Sequence, residues 1–339
     1  MDIQSVAKLA GVSTATISRV LNDSPHVKRS TYERVKRLIA ELNYVPNTSA
    51  RNLRIGRSKL LGLIVSDVNN PFFPELIDHF ERMAREQGID VIFSHTNYDS
   101  DRLAHCLQRM VERNVDGVAV CTSEMNEEAL AAAARFSMPL VLMNQAGPRT
   151  PYTNIVVDHD AGAREAIDHL YELGHRRIGF ISGPEEFEST RDRKKAFLAA
   201  MQRRELEVRP EWMAVGDLHL EGGQQAGARL LEGRVRPTAI FSSNDLMAIG
   251  VMHIAREKGL EVPHDLSVVG FDNLPVCSMM TPPLSSVDIP RDRIAAEAVQ
   301  ALLRQSEEKN TEKQKLAKLR TRFVARGSTA KPARARRSS

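Results

Sequence analysis

The sequence predicts a small all-α domain at the N-terminus, followed by a larger α/β domain made of two doubly wound parallel-sheet subdomains. Short amphipathic helical patterns, separated by turns, fill the first sixty residues or so. About eight apolar runs of strand length then alternate with helical patterns, which is typical of parallel sheets covered on both faces. Eight such units exceed one comfortable sheet, so we expect two sheets with a ligand cleft between them.

Composition bounds the class of protein. With 339 residues, 42% of them hydrophobic, the chain is long enough for two or three domains. It has no run of about 18 apolar residues that could span a membrane, and its opening segment lacks the pattern of a signal peptide. We therefore expect a cytoplasmic protein. Its three cysteines are far apart and form no C-x-x-C, which favours reduced thiols and argues against a metal site or other cofactor.

The positive charge of the chain is concentrated at one end. Residues 1–60 hold 11 Lys and Arg against 4 Asp and Glu, a net charge of +7, whereas the other residues hold 36 against 39, a net charge of −3. A basic block on a folded module attracts phosphate-rich partners such as double-stranded DNA. Charge alone fits a solvated face equally well, so the pattern inside the block has to decide.

Two helical patterns joined by a tight turn open the chain. Asp2 is placed as an N-cap for the first helix, and Gly11 ends it. Ser13 is a good N-cap for the second helix, and Ala10 is small enough to let the two helices approach each other. This arrangement is a helix-turn-helix signature, in which the second helix enters the major groove of DNA. A plain three-helix bundle is the alternative, and the basic excess makes it the weaker one.

The outward face of the second helix carries the predicted contacts to DNA. Arg19 can donate two hydrogen bonds to a guanine, and Ala15 or the methyl group of Thr14 can contact a thymine methyl. The residues that we assign to DNA binding from this helix and its end are Thr14, Ala15, Thr16, Ser18, Arg19 and Asn22.

A third helix and a short hinge follow. Ser30 and Glu33 form a capping box at the predicted start of the helix, and Pro46 stops it. The next helical pattern is polar, basic and too short to be stable alone. Paired with its copy in a dimer, it could lie in the minor groove and wedge Leu53 between base pairs; a plain linker is the alternative. The residues that we assign to DNA binding from this segment are Asn47, Ala50, Leu53 and Arg54.

The order of the motifs along the chain resembles one known family. Residues 2–329 are similar throughout to the lac-repressor (LacI/GalR) family of bacterial transcriptional regulators, through segments that include IQSVAKLAGVSTATISRVLN, ELGHRRIGFISG, FSSNDLMAIG, VPHDLSVVGFDN, TPPLSSVDIP and VARGST. The resemblance implies a repressor that binds a pseudo-palindromic operator as a homodimer. It also implies two subdomains of the periplasmic-binding-protein type, with a small-molecule effector, usually a carbohydrate, bound between them.

The predicted organisation has four parts. Residues 1–46 form the helix-turn-helix DNA-binding domain, and residues 47–58 form the hinge helix and linker. Residues 59–329 form the effector-binding and dimerisation domain, and residues 330–339 form a basic, disordered tail. The resemblance implies that the chain crosses between the two subdomains near residues 159–162, 288–291 and 320–323.

Polar and aromatic residues directly after the apolar runs are the candidates for ligand contacts, because a doubly wound sheet binds its ligand beyond the carboxyl ends of its strands. A carboxylate accepts from hydroxyls, a guanidinium donates a fork of hydrogen bonds, and an aromatic ring covers an apolar face, a combination that suits a sugar. Singly, these residues could equally be helix caps or surface charges. Leu218 is assigned from the resemblance alone. The residues that we assign to effector binding are Asn70, Phe72, Phe73, Asn144, Arg191, Arg193, Leu218, Asn244 and Asp272.

Departures from the family pattern leave the identity of the ligand open. Ala196 stands where the family usually has glycine, Ile289 where a glutamine often stands, and Leu218 where an aromatic residue is common. A sugar or sugar derivative is the first expectation. The pair Phe72 and Phe73 keeps a purine as the alternative, because stacked aromatic rings also suit flat rings.

An enzyme is the weaker interpretation. The sequence contains no nucleotide-binding loop, nucleophile elbow or metalloprotease motif. Asp158, His159 and Asp160 resemble an acid–base or metal cluster, but Asp160 lies where a helix N-cap is wanted. A free solute-binding protein is closer in fold, although the helix-turn-helix argues against it.

Overall fold

The computed structural model describes residues 1–21, 23–44, 57–122, 131, 135, 138–143, 152–307 and 316–333. The chain divides into two compact units, Met1–Lys59, here called the headpiece, and Leu60–Ser339, here called the second unit. Some predicted site residues lie outside the described residues, and their roles stay predictions: Asn22, Asn47, Ala50, Leu53, Arg54 and Asn144.

The described part of the headpiece contains three helices, α1 (Ile3–Ala10), α2 (Thr14–Leu21) and α3 (Arg29–Glu41). Asp2 caps α1 by accepting a hydrogen bond from the Ser5 amide at 2.8 Å. Gly11 ends α1 with φ 61°, a left-handed conformation that glycine adopts without strain, and it turns the chain into α2. The core between the helices consists of Val6, Ala7, Ala10, Ile17, Val20, Val35 and Tyr44.

The capping box predicted for α3 is wrong. The helix begins at Arg29, its N-cap is Lys28, and no side chain caps its first turn. Glu33 instead pairs with the Arg29 guanidinium one turn away, at 3.1 Å. Opposite charges four residues apart on an exposed helix attract each other, and this contact takes the carboxylate away from the cap.

Among the described residues, the second unit contains two six-stranded sheets. The strands are β1 (Leu60–Val65), β2 (Asp90–His95), β3 (Gly117–Cys121), β4 (Leu140–Met143), β5 (Thr153–Asp158), β6 (Ile178–Ser182), β7 (Met213–Val215), β8 (Ala239–Ser242), β9 (Ser267–Asp272), β10 (Ser285–Asp288), β11 (Leu316–Arg320) and β12 (Arg322–Val324). The first sheet has the order β11-β5-β4-β3-β1-β2 and the second the order β12-β10-β9-β8-β6-β7. All neighbouring strands are parallel except β10 and β12, which confirms the predicted fold class.

Helices cover the sheets. Their bounds are α4 (Phe72–Glu86), α5 (Ser100–Glu112), α6 (His159–Glu172), α7 (Glu188–Arg203), α8 (Leu220–Glu232), α9 (Asp245–Glu257), α10 (Val276–Met279) and α11 (Arg291–Glu307), and a 3₁₀ turn spans Pro210–Trp212. The first sheet packs with α4, α5 and α11, and we call this layer structure the N-subdomain. The second sheet packs with α6 to α9, and we call it the C-subdomain. In the part of the chain that the structure describes, none of the helices is both long and apolar enough to cross a membrane.

The chain passes between the subdomains at three places: from β5 into α6, from β10 into α11, and from β11 to β12. Gly162 lies where these passages meet. Its amide donates to the Thr321 hydroxyl at 2.9 Å, and a Cβ atom at this position would lie 2.2 Å from a methyl group of Val287. The close approach of the three passages therefore requires a residue without a side chain here.

The folded body continues past residue 329, the predicted end of the effector domain. The Ala330 amide donates to the Ser267 hydroxyl at 3.1 Å, and the Ala330 carbonyl is 2.9 Å from Nε2 of His175. Residue 330 therefore belongs to the C-subdomain and not to a disordered tail. Residues 334–339 of the predicted tail lie outside the described residues.

Candidate functional sites

The first candidate site is the outward face of α2. Ile17 and Val20 are fully buried in the headpiece, so the residues on the opposite side of this helix face solvent. Thr14, Ala15 and Arg19 are exposed. A short helix with a small-residue start and an exposed arginine in its last turn has the form required to enter the major groove of DNA.

The remaining predicted residues of α2 are less accessible. Ser18 and Thr16 are half-buried. The Thr16 hydroxyl is 3.0 Å from the Ser13 hydroxyl, and its amide donates to that same hydroxyl at 3.2 Å. Thr16 therefore takes part in the cap of α2. No carboxylate of the described residues forms an ion pair with Arg19, so its guanidinium is available to a partner.

The second candidate site is a cavity between the two sheets of the second unit, at the carboxyl ends of the strands. It holds about 500 Å³ of space between protein atoms, a volume that includes solvent at its open side. The predicted residues that line it are Asn70, Phe72, Phe73, Arg193, Leu218, Asn244 and Asp272. The lining residues that sequence reasoning missed are Tyr98, Cys121, Thr122, Met143, Ser189 and Thr190.

A buried ion pair lies on the C-subdomain wall of the cavity. Nη2 of Arg193, on α7, is 2.9 Å from Oδ1 of Asp272, at the end of β9, and the two side chains are 10% and 3% exposed. The same guanidinium donates to the Ser243 carbonyl, and its carbon lies 4.4 Å from the ring centre of Phe271. One charge cancels the other, so this wall offers directional donors and acceptors without net charge.

Asp272 is held by a second cation. Arg291 donates through Nη1 to the Asp272 carbonyl, and its Nε lies 3.0 Å from a carboxylate oxygen of Glu75 on α4. Burial raises the pKa of the Asp272 carboxyl, and the guanidinium groups of Arg193 and Arg291 oppose that shift. Asp272 has φ 112°, a strained conformation that a surrounding network of this kind can maintain.

Asp245 lies behind Asp272 and is completely buried. It accepts from the Leu274 amide at 2.7 Å and from the Ser286 hydroxyl at 2.5 Å. Burial and the negative charge of Asp272 raise the pKa of Asp245 to about 7. Its contacts join the loop after β9 to strand β10, and they fix the backbone that presents Asp272 to the cavity.

Asn244 acts as a helix cap. Its Oδ1 accepts from the Met247 amide at 3.0 Å, and its Nδ2 donates to the Leu218 carbonyl at 2.7 Å. The capping role that sequence reasoning left open is therefore present. Because Leu218 has φ 70°, this hydrogen bond also holds an unfavourable backbone conformation that points the leucine into the cavity wall.

Arg191 does not reach the cavity. Its Nη1 donates to the carbonyls of Glu185 and Glu186, each at 2.7 Å, and its side chain is exposed. Residues two apart on a helix point in different directions, so Arg193 and Arg191 cannot both face the same site. Among the wall residues that were missed, Cys121 and Met143 end strands and resemble ordinary core residues. Tyr98 follows β2 by three residues, closer than Asn70 follows β1, so the rule that found Asn70 could have found Tyr98.

No group of three or more His, Cys, Asp or Glu side chains within the described ranges is arranged to hold a metal ion. His159, from the cluster considered in the sequence, is buried beneath Phe271, with ring centres 5.5 Å apart. Burial and the charge of Arg193 hold its pKa well below the usual value. A neutral, packed imidazole is the result.

Comparison with known proteins covers nearly the whole chain. Residues 2–47 match the model of bacterial regulatory proteins of the lacI family, and residues 167–329 match the periplasmic binding protein-like domain. The HTH-type transcriptional repressor PurR of Aliivibrio salmonicida (strain LFI1238) is 34% identical over 313 residues, 92% of this chain and 94% of the relative.

Two solved structures share both parts of the fold. The lac repressor dimer bound to operator and the anti-inducer ONPF aligns with a TM-score of 0.88 at 28% identity, covering 97% of this chain and 99% of the other. The complex of the transcriptional regulator CelR with cellobiose aligns with a TM-score of 0.71 at 27% identity, with the same coverage of both chains.

Proposed function

This chain belongs to the lacI family of bacterial regulatory proteins. From that premise we propose that a small neutral sugar controls its affinity for operator DNA. It is a DNA-binding repressor and not an enzyme, as its relatives are transcriptional repressors.

The Arg193–Asp272 pair carries the proposal. A carboxylate with two oxygens accepts from neighbouring hydroxyls, and Nε of Arg193 has no hydrogen-bond partner among the described residues, so it can donate to a ligand. The pair is neutral as a whole. A phosphate or carboxylate ligand would place an uncompensated charge in this cavity, whereas a sugar hydroxyl would not.

Apolar side chains on the opposite wall complete a surface suited to a sugar ring. Phe72 and Phe73, on the N-subdomain side, lie edge to face with ring centres 5.2 Å apart. An aromatic ring covers the apolar face of a sugar while the polar wall takes its hydroxyls. That a relative of the same fold binds cellobiose supports a carbohydrate.

A purine is the second candidate ligand, since Phe73 could stack on a flat ring. The aliphatic Leu218 on the other wall supports the sugar, because a flat ring held between two aromatic side chains would gain more from stacking. The purine therefore enters the experiment as an alternative ligand.

We propose that the sugar acts by changing the angle between the two subdomains, since the cavity takes its walls from both. In a dimer on a pseudo-palindrome, two α2 helices occupy successive major grooves and paired Leu53 side chains wedge the minor groove. A coupling of about 1–3 kcal/mol between ligand and operator is typical of such regulators. The lac repressor dimer on its operator supports this arrangement.

To test this, duplexes that bind the full-length protein are selected from a random DNA pool. The affinity of the protein for the selected duplex is then measured as sugars or purines are added. We expect a pseudo-palindrome whose affinity falls steeply with salt, and a neutral monosaccharide that changes that affinity. A response to purines alone would replace the sugar by a purine. Enrichment of no sequence, with or without cell extract, would contradict operator recognition.

A further inference from the structure

One side of the cavity wall differs from the rest. Nearly all of its described lining residues are buried, but Tyr98 and Ser189 are only half-buried. These two residues come from different subdomains, Tyr98 from the loop between β2 and α5 and Ser189 from the start of α7. They mark the place where this part of the cavity faces solvent.

Tyr98 closes this side by stacking on a residue of the other subdomain. Its ring centre is 4.9 Å from that of Phe187, and the ring planes differ by 27°. Phe187 lies in the loop between β6 and α7, and it does not line the cavity itself. The Tyr98 residue thus contacts both the cavity and Phe187, and the stack joins the two subdomains at the edge of the cavity.

The loop that carries Tyr98 is fixed in a strained conformation. Asn97 and Tyr98 have φ values of 56° and 58°, and left-handed backbone is rare for a bulky residue such as tyrosine. The Asn97 amide donates to the Ser66 carbonyl at 2.7 Å, and the Thr96 amide donates to the Val65 carbonyl at 3.0 Å. Strain that neighbouring contacts maintain is typical of ligand clamps and moving segments.

Phe187 is connected to the polar wall on its own side. The Thr190 hydroxyl lies 2.8 Å from the Phe187 carbonyl and closer still to the Pro184 carbonyl, and its one hydrogen is shared between them. Thr190 lines the cavity three residues before Arg193 on α7. A ligand that moves the start of α7 therefore moves Phe187 relative to Tyr98.

We propose that Tyr98 and Phe187 form a gate, which the ligand displaces on entering and leaving, and which limits the ligand to a single ring beneath Tyr98. The size limit rests on the proposed function of the cavity as a sugar site. A second sugar ring that extended toward solvent would occupy the position of the Tyr98 ring. The gate also adds a contact between the subdomains that exists only while the cleft is closed.

The first test measures entry without any sugar. The Cys121 thiol lines the cavity and is 5% exposed, so a small thiol reagent such as iodoacetamide reports access to it. The protein is labelled at full length, and mass spectrometry of its peptides separates Cys121 from Cys106 and Cys277, two buried thiols that do not line the cavity. The variants are Tyr98→Ala and Phe187→Ala, with Tyr98→Phe as the control that keeps the ring.

We expect both alanine variants to label Cys121 about 2- to 10-fold faster than wild type, which is the change that loss of an aromatic pair would produce. Labelling of Cys106 and Cys277 should not change, and Tyr98→Phe, which keeps the ring, should label Cys121 more slowly than Tyr98→Ala does. An unchanged Cys121 rate in both alanine variants would overturn the gate, and so would an equal acceleration at all three cysteines. Because Phe187 lies outside the cavity wall, its variant tests the gate even where Tyr98→Ala fails to fold.

The second test measures operator binding in the presence of glucose, ribose and cellobiose. We expect wild type to respond only to monosaccharides and the alanine variants to gain a response to cellobiose. A wild-type response to cellobiose as strong as that to a monosaccharide overturns the size limit. If Cys121 labelling changes as expected but no sugar acts on any variant, the sugar assignment fails while the gate stands; if a sugar acts and labelling is unchanged, only the gate fails.

Discussion

Arg193 lies 2.9 Å from Asp272, and this ion pair connects helix α7 to the end of strand β9 in a part of the cavity nearly closed to water. Separating two buried charges leaves each without compensation, which is expensive. The pair therefore stays together when a ligand binds, and ligand hydroxyls bind to the atoms that the pair leaves available. A cavity wall that is already assembled requires little reorganisation by the ligand.

We predict that Arg193→Ala removes the response to effector while the headpiece still binds operator. Because the change leaves the Asp272 carboxylate without its nearest cation, the free energy of unfolding should fall by about 3–5 kcal/mol. Arg191→Ala is the matched control, since it removes the same charge two residues away, outside the cavity. Operator binding with and without effector measures the first effect, and urea unfolding the second. Equal loss of the response in both variants would contradict a ligand contact by Arg193.

We predict that Arg19→Ala weakens binding to the selected operator by about 1–3 kcal/mol, the discrimination expected of a bidentate contact to guanine. Binding to unrelated duplex DNA should fall much less. Arg37→Ala removes the same charge from an exposed position on α3 and should affect both duplexes alike. The measurement is the ratio of the two affinities at fixed salt. If Arg19→Ala leaves that ratio unchanged, Arg19 contacts only phosphates.

We predict that Leu53→Ala weakens operator binding and leaves binding to nonspecific DNA nearly intact. A leucine wedge gains energy only where the duplex kinks at the centre of the site. Titration of wild type and variant with operator and with nonspecific duplex, under the same conditions, measures the two affinities. Equal losses on the two duplexes would exclude the wedge.

The sequence predicted the fold and much of the cavity because both depend on local patterns. Apolar runs such as residues 60–66 and 117–121 are long enough to show that they are strands buried on both faces. Shorter strands carried too little pattern: Met213–Val215 has three residues, and Arg322–Val324 lies at a sheet edge. In these strands the pairing comes from contacts distant in sequence.

The site residues divide in the same way. Asp272 ends β9, and Asn70 lies in the loop after β1, so the rule for parallel sheets finds both. The direction of a side chain on a helix is harder to predict, and for this reason Arg191 was assigned together with Arg193. The contact between Tyr98 and Phe187 could not be predicted from the sequence, because it depends on how two loops distant in sequence approach each other.

We predict that Gly162→Ala destabilises the second unit, although alanine favours a helix over glycine by about 1 kcal/mol. The new methyl group would lie 2.2 Å from Val287 and 2.7 Å from the Thr321 hydroxyl, and overpacking of this kind costs about 1–3 kcal/mol. Gly233→Ala is the control, because its nearest neighbour would be 3.9 Å away. Chemical unfolding of both variants decides which effect is larger. An unchanged or increased stability of Gly162→Ala would contradict a tight junction at the three passages.

Finally, the buried His159 should make the free energy of unfolding depend on pH. Burial and the charge of Arg193 lower the pKa of His159 in the folded chain. Below about pH 6.5 the unfolded chain therefore binds more protons at this histidine than the folded chain does. The contribution of neutral His159 to stability is therefore fully present above about pH 6.5. As the pH falls below this value, the free energy of unfolding decreases by up to about 1.4 kcal/mol per pH unit. His169 and His175 act in the same direction, because burial also lowers the pKa of each.

We therefore expect His159→Phe to lessen the loss of unfolding free energy between pH 6.5 and pH 5. Both ring nitrogens lack hydrogen-bond partners within the described part of the chain, so the change sacrifices no contact seen there, and a phenyl ring can keep the packing on Phe271. Stability at pH 7.5 should be unchanged or higher, since an apolar ring replaces an unsatisfied polar one. The control is His264→Asn, which replaces an exposed histidine, and the prediction requires His159→Phe to lessen the loss more than this control does. If His159→Phe instead lowers stability at pH 7.5 by several kcal/mol, the imidazole has a polar partner in the folded protein and is not a neutral packing group.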